Sequence, residues 1–463
     1  MFIRNLFSLA LSSLFVLTSV AGVTPQAKLA SENISPATTK RHIIILVDGV
    51  GFGTIQRMRA EGRFKMFREP ARMIAPFPSL TNVSIASILA PAGAELPPAY
   101  EDDYYDVAQN KMSGGLLDRF NQARFIHGSY RELFDYHPSA IKSGLGYALP
   151  PFSTYLESMT DLVMFKRKLR ASREPVYLAY CGATDTLAHL GGDRMLRSFM
   201  AKLDDLVSDL VRESNGQLDV TIFSDHGNDY RKYKRSGLKD PLRRAGFNLD
   251  SKIKDDHSVV MPQFGLIGCA TLFTRPENEP RVAAATAAVK GVDLAAYEKE
   301  GIVYLVARDG ARAIIERRGD RYRYLAQSGD PLSLKPIIAD LTNRGRADAD
   351  GFIADIDWFA ATTETSRPDS IRRIYDGLTA AVQNRANVIV NFEDGYYTGS
   401  ALMDVFAMLL ATHGNLGRGE SLGFVITTTR DLPSYVRAAD LWSTIGSPQL
   451  RKSIPPRVAT TSH

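Results

Sequence analysis

The sequence predicts an α/β fold: a mostly parallel central sheet sandwiched by helices, with a smaller α+β insertion or cap. Three observations carry that expectation. Short β-rich apolar runs alternate with longer helical patterns along most of the chain, the order that builds a parallel sheet covered on both faces. One of those runs, HIIILV at 42–47, is apolar without alternation, as a strand buried on both faces requires. After Val260 the texture changes, and 301–326 holds three β-like runs separated by Asp309-Gly310 and Gly319-Asp320, a small meander built on turn dipeptides.

The elements follow in order. Arg4 supplies a positive charge, Leu6 to Ala21 is apolar apart from scattered serines and a threonine, and Ser19-Val20-Ala21 offers small residues at a cleavage point. That apolar run of about 15 residues is short for a bilayer crossing. Residues 1–21 are therefore expected to be a signal peptide and 22–41 a flexible leader, with no transmembrane segment left after cleavage and a periplasmic or secreted product. A helix pattern follows from about Thr54 to Phe67, then a strand from Arg72 to Phe77 ended by Pro78, then a helix start at Asn82 to Leu89. Val176–Cys181 and Val220–Phe223 read as buried strands, with a helix from about Asp193 to Arg212 between them. Residues 275–385 read as the insertion or cap, which divides the core into 42–274 and 386–463. The core is expected to resume with a strand at Asn387–Asn391, a helix at 401–411 and a strand at Gly423–Thr428.

Composition narrows the class. With 463 residues, 44% hydrophobic and 23% charged, the chain is an ordinary globular one rather than a disordered or disulfide-stapled one. Its two cysteines, Cys181 and Cys269, sit in apolar strand-like runs, VYLAYCGA and FGLIGCATLF, and read as buried free thiols. A formal charge of +5 suits anionic ligands, but no nucleic-acid recognition motif accompanies it.

Acidic and imidazole side chains gather just past the buried strands. Asp48 follows HIIILV, Asp225-His226 follows VTIFS, and Asp185 lies four residues beyond Cys181. In parallel α/β sheets the carboxyl ends of strands line the ligand crevice. Asp185 and His189 are four apart, a spacing that shares one face if the segment is a helical turn. Carboxylate oxygen with imidazole nitrogen is a donor set that Zn²⁺ accepts. His413 opens a Gly-rich loop, HGNLGRGE.

With LVDGVGF around Asp48, FPSLT around Thr81, DTLAHLGG at Asp185 and His189, SDHGN at Asp225-His226 and THGN at His413, the chain resembles the alkaline-phosphatase superfamily. Within it the likeness is to the type I phosphodiesterase/nucleotide pyrophosphatase branch. The resemblance runs from about residue 42 to 430 and implies two divalent metal ions; ligand type and the expected compartment favour Zn²⁺ over Mn²⁺. Asp185, His189 and His413 would hold one ion, and Asp48, Asp225, His226 and the Thr81 oxygen the other. Thr81 would be the nucleophile of a phosphothreonine intermediate, acting on a small-molecule phosphodiester or nucleotide pyrophosphate. A cation pair about 4 Å apart suits such chemistry, because it neutralises the phosphoryl oxygens and activates both nucleophile and leaving group.

Several alternatives stand beside this. Thr81 also reads as a plain N-cap for a helix beginning at Asn82, and Ser79 and Ser84 are competing hydroxyls. Asn110, in DVAQNKM, resembles the asparagine that binds a phosphate oxygen in the diesterase branch, but a turn asparagine is equally well described. The branch's Pro-Asn-His continuation after the nucleophile is replaced here by Asn82-Val83-Ser84. Sulfatase chemistry is disfavoured because neither cysteine lies in a C-x-P-x-R pattern. A phosphomonoesterase of the same superfamily, and a non-catalytic exported protein that keeps metals for stability, are the two rival functions.

Overall fold

The computed structural model describes residues 40–114, 133–138, 151–263, 265–400 and 409–446. The expected signal peptide, most of the leader, and most of the helix expected at 401–411 lie outside them.

The central sheet has six strands: β1 (Arg41–Val47), β2 (Ala71–Ile74), β3 (Val176–Cys181), β4 (Leu218–Phe223), β5 (Leu422–Thr427) and β6 (Tyr435–Arg437), in the spatial order β6-β2-β5-β4-β1-β3. β1 pairs in parallel with β3 on one side and β4 on the other, which is why its sequence is apolar throughout. Its side chains alternate between two cores. Ile43, Ile45 and Val47 pack with Phe165 of α3 (Pro151–Ala171) and with Leu196, Phe199 and Leu203 of α4 (Ala183–Glu213). Ile44 and Leu46 face the opposite way, onto Ile85 and Ile88 of α2 (Thr81–Leu89). Each such side chain contributes about 1.5–3 kcal/mol on burial, so the sandwich follows from an unbroken apolar strand with two faces to cover.

The sheet is parallel only in part. β5 runs antiparallel to both β2 and β4, while the other five strands share one direction. The reason is positional. Leu422 pairs with Ile74 and Val425 with Phe223, so β5 enters at the carboxyl edge, straight from the loop that carries His413, and must run away from it. An apolar run buried on both faces carries no mark of direction.

A second sheet of seven strands is antiparallel throughout and contains the expected meander: Ile302–Ala307, Arg312–Arg318 and Arg321–Ser328. It runs past both expected ends of the insertion. Val388–Phe392, read from sequence as the core resuming, pairs antiparallel with Cys269–Leu272 and with Val292–Tyr297. A short apolar strand looks the same whichever sheet it joins. The helix Glu279–Ala287 packs Val282 and Ala283 on one face of this sheet. Trp358 and, from α5 (Ser370–Thr379), Ile371 and Ile374 cover the other. Cys181 and Cys269 are both buried free thiols, as expected. Among the described residues no helix is long and apolar enough to cross a membrane.

Candidate metal centre

β3, β1 and β4 are neighbours, so their carboxyl ends bring Asp185, Asp48 and Asp225 to one place. The turns after β1 and β4 are stitched together there. Gly49 N donates to Asp225 Oδ1 at 3.1 Å, Val50 N to Ser224 Oγ at 2.8 Å, and Asn228 Nδ2 to Gly49 O at 2.7 Å. Gly49 has a positive φ of 64°, and a Cβ at that position would lie 2.5 Å from Asp185 Oδ1 and 2.7 Å from Asn228 Nδ2. A Gly49→Ala variant is therefore expected to displace the Asp185 carboxylate and lower metal content well below wild type. Full metal occupancy by elemental analysis would refute that.

Asp185 and His189 do lie on consecutive turns of one helix, near the start of α4, with His189 Nε2 3.3 Å from Asp185 Oδ2. The expected helix at Asp193–Arg212 is the later part of the same element, past a kink at Gly192. His226 Nε2 lies 3.4 Å from Asp48 Oδ1 and 3.6 Å from Asp225 Oδ2. His413 Nε2 lies 3.7 Å from Asp185 Oδ1, and its ring stacks on that of His226 with centroids 3.9 Å apart.

Two groups have ligand atoms mutually within 4.8 Å: Asp48, Asp225 and His226, and Asp185, His226 and His413. The first holds the three acidic and imidazole residues that the resemblance groups with the Thr81 oxygen. In the second, His226 stands where His189 was expected, while His189 touches Asp185 and faces the His413 ring at 5.3 Å. His226 thus sits between the two groups.

Backbone carbonyls orient the imidazoles. His226 Nδ1 is 2.9 Å from Gly227 O, and His413 Nδ1 is 2.9 Å from Ser79 O. A carbonyl can only accept, so each Nδ1 carries a proton and Nε2 is the ring atom turned to the cluster. All six of these acidic and imidazole residues are buried.

Their electrostatics call for added positive charge. Burial, then the Asp48 carboxylate, holds Asp225 well above the usual range, and burial also raises Asp48. Burial acts on Asp185 in the same sense, but His189 and His413 outweigh it and hold it well below. His226 is pushed up to about 10, because Asp225 and Asp48 overcome the effect of burial. His413, by burial and the neighbouring His226, falls to about 3. Three buried carboxylates within reach of one another persist only if cationic charge is shared among them. Asp225 Oδ2 is buried with no hydrogen-bond partner. An orphan oxygen in an oxygen-and-nitrogen donor set without sulfur fits divalent metal, Zn²⁺ included.

Thr81 does not cap its helix. It is the first residue of α2, after Leu80 at the N-cap position, where no side-chain cap bond forms. Its Oγ1 instead faces the cluster, 3.2 Å from His226 Nε2 and 3.3 Å from Asp48 Oδ1. The competing Ser79 hydroxyl is turned to Asn415 O at 3.0 Å, and Ser84 lies buried further along α2.

Asn110 is not brought to the cluster by any contact among the described residues. It occupies a left-handed turn position, where its Oδ1 accepts from Tyr105 OH at 2.6 Å and Ile253 N at 2.8 Å, and its Nδ2 donates to Ile253 O at 2.9 Å. His42 is paired with Thr221 Oγ1 at 2.9 Å, and His257 with Gly246 O at 2.9 Å.

Two contributors were missed. Tyr180 OH donates to Asp48 Oδ2 at 2.5 Å, and Asn228 Nδ2 to Asp185 Oδ1 at 3.1 Å. Asn228 lies within SDHGN and could have been drawn from it. Tyr180 is one residue inside a β-strand and carries no local signal.

No family model matches the chain, and no curated protein does. Among solved structures, human ectonucleotide pyrophosphatase/phosphodiesterase 5 is similar at 11% identity and a TM-score of 0.43, over 87% of this chain and 93% of that one. The murine protein of the same name is similar at 10% identity and a TM-score of 0.41, over 87% and 93%. Likeness at that level says nothing about chemistry, which rests on the residues themselves.

Proposed function

We propose that this chain is an exported phosphoester hydrolase with two divalent metal ions, acting on a phosphodiester or nucleotide pyrophosphate through Thr81. The observation that carries the reading is the Thr81 hydroxyl. It stands at a helix start, within 3.3 Å of both Asp48 Oδ1 and His226 Nε2, with no capping role to account for its direction. Thr81 is only partly buried while the six acidic and imidazole residues beside it are buried, so substrate would reach the cluster from its side.

Asp48, Asp225 and His226 would hold one ion, and Asp185 with His413 and His189 the other. When bound, the ions would neutralise the phosphoryl oxygens, acidify the Thr81 hydroxyl and stabilise the leaving oxygen. The residues supply the rest. The first-turn amides of α2 have no intrahelical acceptors and favour an anionic phosphoryl group at that end. Thr81 Oγ1 bonds to phosphorus, its proton goes to solvent, and the ester oxygen leaves and is reprotonated. Water then cleaves the phosphothreonine, returning the hydroxyl and releasing the phosphate product. Tyr180 holds the outer oxygen of Asp48, and Asn228 the inner oxygen of Asp185, so both carboxylates keep one orientation through the cycle.

A monoester brings one more negative charge than a diester and is ordinarily met by a guanidinium. The buried guanidinium that contacts the turn before the nucleophile, that of Arg373, is committed to protein oxygens and is not available to meet that charge. The test is hydrolysis of bis-p-nitrophenyl phosphate, p-nitrophenyl phosphate, the p-nitrophenyl ester of thymidine monophosphate and p-nitrophenyl sulfate, with bound metal measured in parallel. Diesters are expected to react fastest. Faster monoester turnover would replace this reading with a phosphomonoesterase, and metal-loaded protein inert on all four would end the hydrolase reading.

A further inference from the structure

Arg373 lies within α5 and is 4% exposed. A buried guanidinium ordinarily lies against a carboxylate. Here its hydrogen bonds go to neutral oxygens alone. Nη1 donates to Pro368 O at 3.0 Å and Leu416 O at 3.3 Å. Nη2 donates to Ser421 Oγ at 2.7 Å and Ser79 Oγ at 2.9 Å, with Pro76 O at 3.4 Å. Apart from Pro368 O, those oxygens belong to two segments far apart in sequence, the turn 76–79 that leads into Thr81 and the loop and short helix over 415–421 that follow His413.

The same two segments also meet each other. Ser79 Oγ donates to Asn415 O at 3.0 Å, and Ser421 Oγ to the same oxygen at 3.2 Å. Ser79 O, two residues before the nucleophile, is the acceptor that fixes the His413 ring through Nδ1. Each serine hydroxyl therefore accepts from the guanidinium and donates onward to the loop. Charge-assisted bonds are shorter and stronger than neutral ones, and a planar fork sets the directions of several acceptors at once.

We propose that Arg373 is a positioning residue of the metal centre, clamping the turn before Thr81 to the loop after His413 and so setting the spacing between the Thr81 hydroxyl and His413 Nε2. The proposal rests on the two-metal hydrolase reading. Arg373 acts through these contacts, since both Nη atoms are engaged with protein and its Nε is buried. A lysine would keep the charge but not the planar fork, and a methionine would keep neither.

The test compares Arg373→Met, Arg373→Lys and the milder double variant Ser79→Ala/Ser421→Ala with wild type. It measures kcat and KM per folded molecule, zinc stoichiometry, and zinc affinity by chelator competition. Arg373→Met is expected to lose about 100-fold in kcat with KM moving less than about threefold. Zinc affinity at the weaker site is expected to fall about 10- to 100-fold. Arg373→Lys should recover part of both, and the serine double variant should shift both the same way by less. Unchanged kcat and zinc affinity in folded Arg373→Met would overturn the proposal, and so would unchanged values in the serine variant if the methionine variant does not fold. Zinc affinity is read without turnover. A wild-type chain that binds zinc and hydrolyses nothing would end the hydrolase reading, and the metal measurement would still decide the role of Arg373. A wild-type chain that binds no metal would overturn both.

Discussion

Thr81→Ala is expected to lower kcat by about 10³- to 10⁶-fold, the range seen when a covalent nucleophile is removed, while the protein stays folded and keeps its metal. Each part of that expectation has its own basis. Stability should barely change, because Thr81 makes no capping bond and sits at the first helical position, where alanine has the better intrinsic propensity by a few tenths of a kcal/mol. Metal content should hold, because each of the two candidate ligand groups offers three side chains without counting the hydroxyl. Activity should collapse because the neighbouring hydroxyl at Ser79 is tied to Asn415 and Arg373 and cannot take over. Acid quenching of wild type during turnover should leave phosphate on the peptide that carries Thr81, and the alanine variant should show none. If the chain were a non-catalytic protein that keeps metals for stability, no wild-type turnover would exist for the substitution to remove. Turnover that survives in Thr81→Ala would exclude the covalent mechanism while leaving the metal centre standing.

How far this centre could be read from sequence varies residue by residue. Asp185 and His189 were legible because a spacing of four on a helix is a local rule that packing does not alter. Asp48 and Asp225-His226 were legible because an unbroken apolar run marks a central strand, and the residues just past such a strand lie at the carboxyl edge. His413 carried no comparable signal, since its place is fixed by Ser79, 334 residues away. The sharing of His226 between the two ligand groups is likewise tertiary. The N-cap alternative for Thr81 failed because the helix begins one residue earlier than its pattern suggested, which turns the hydroxyl inward. Asn110 shows the converse limit, because its amide is taken up by Ile253, 143 residues away, which no local pattern reports. Among the strands, burial was readable and partnership was not. Val388–Phe392 and β5 are equally apolar, yet one joins the antiparallel sheet and the other reverses direction within the central one.

Asp225→Asn is expected to change sign with metal. In the presence of excess zinc the variant should be less stable than wild type, because a ligand to the ion is lost. Binding at a thousandfold excess over Kd is worth about 4 kcal/mol per site, and most of that disappears at the damaged site. Under chelation the order should invert. The wild-type carboxylate is then buried beside Asp48, held well above its ordinary range by burial and by that neighbour, with Oδ2 unpartnered. The asparagine is nearly isosteric. Its Oδ1 keeps the bond from Gly49 N, and a neutral amide no longer repels the Asp48 carboxylate. Relieving the burial of this carboxyl and its repulsion with Asp48 should make the variant the more stable of the two. The advantage should also grow with pH. A carboxyl whose folded pKa is raised stabilises the fold while protonated and loses that contribution as pH rises through the raised value, whereas the asparagine has no such loss. Four melting curves decide it: wild type and Asp225→Asn, each with zinc and with chelator. A variant less stable than wild type under both conditions would mean that the carboxylates are satisfied without metal, and the two-metal reading would lose its electrostatic basis.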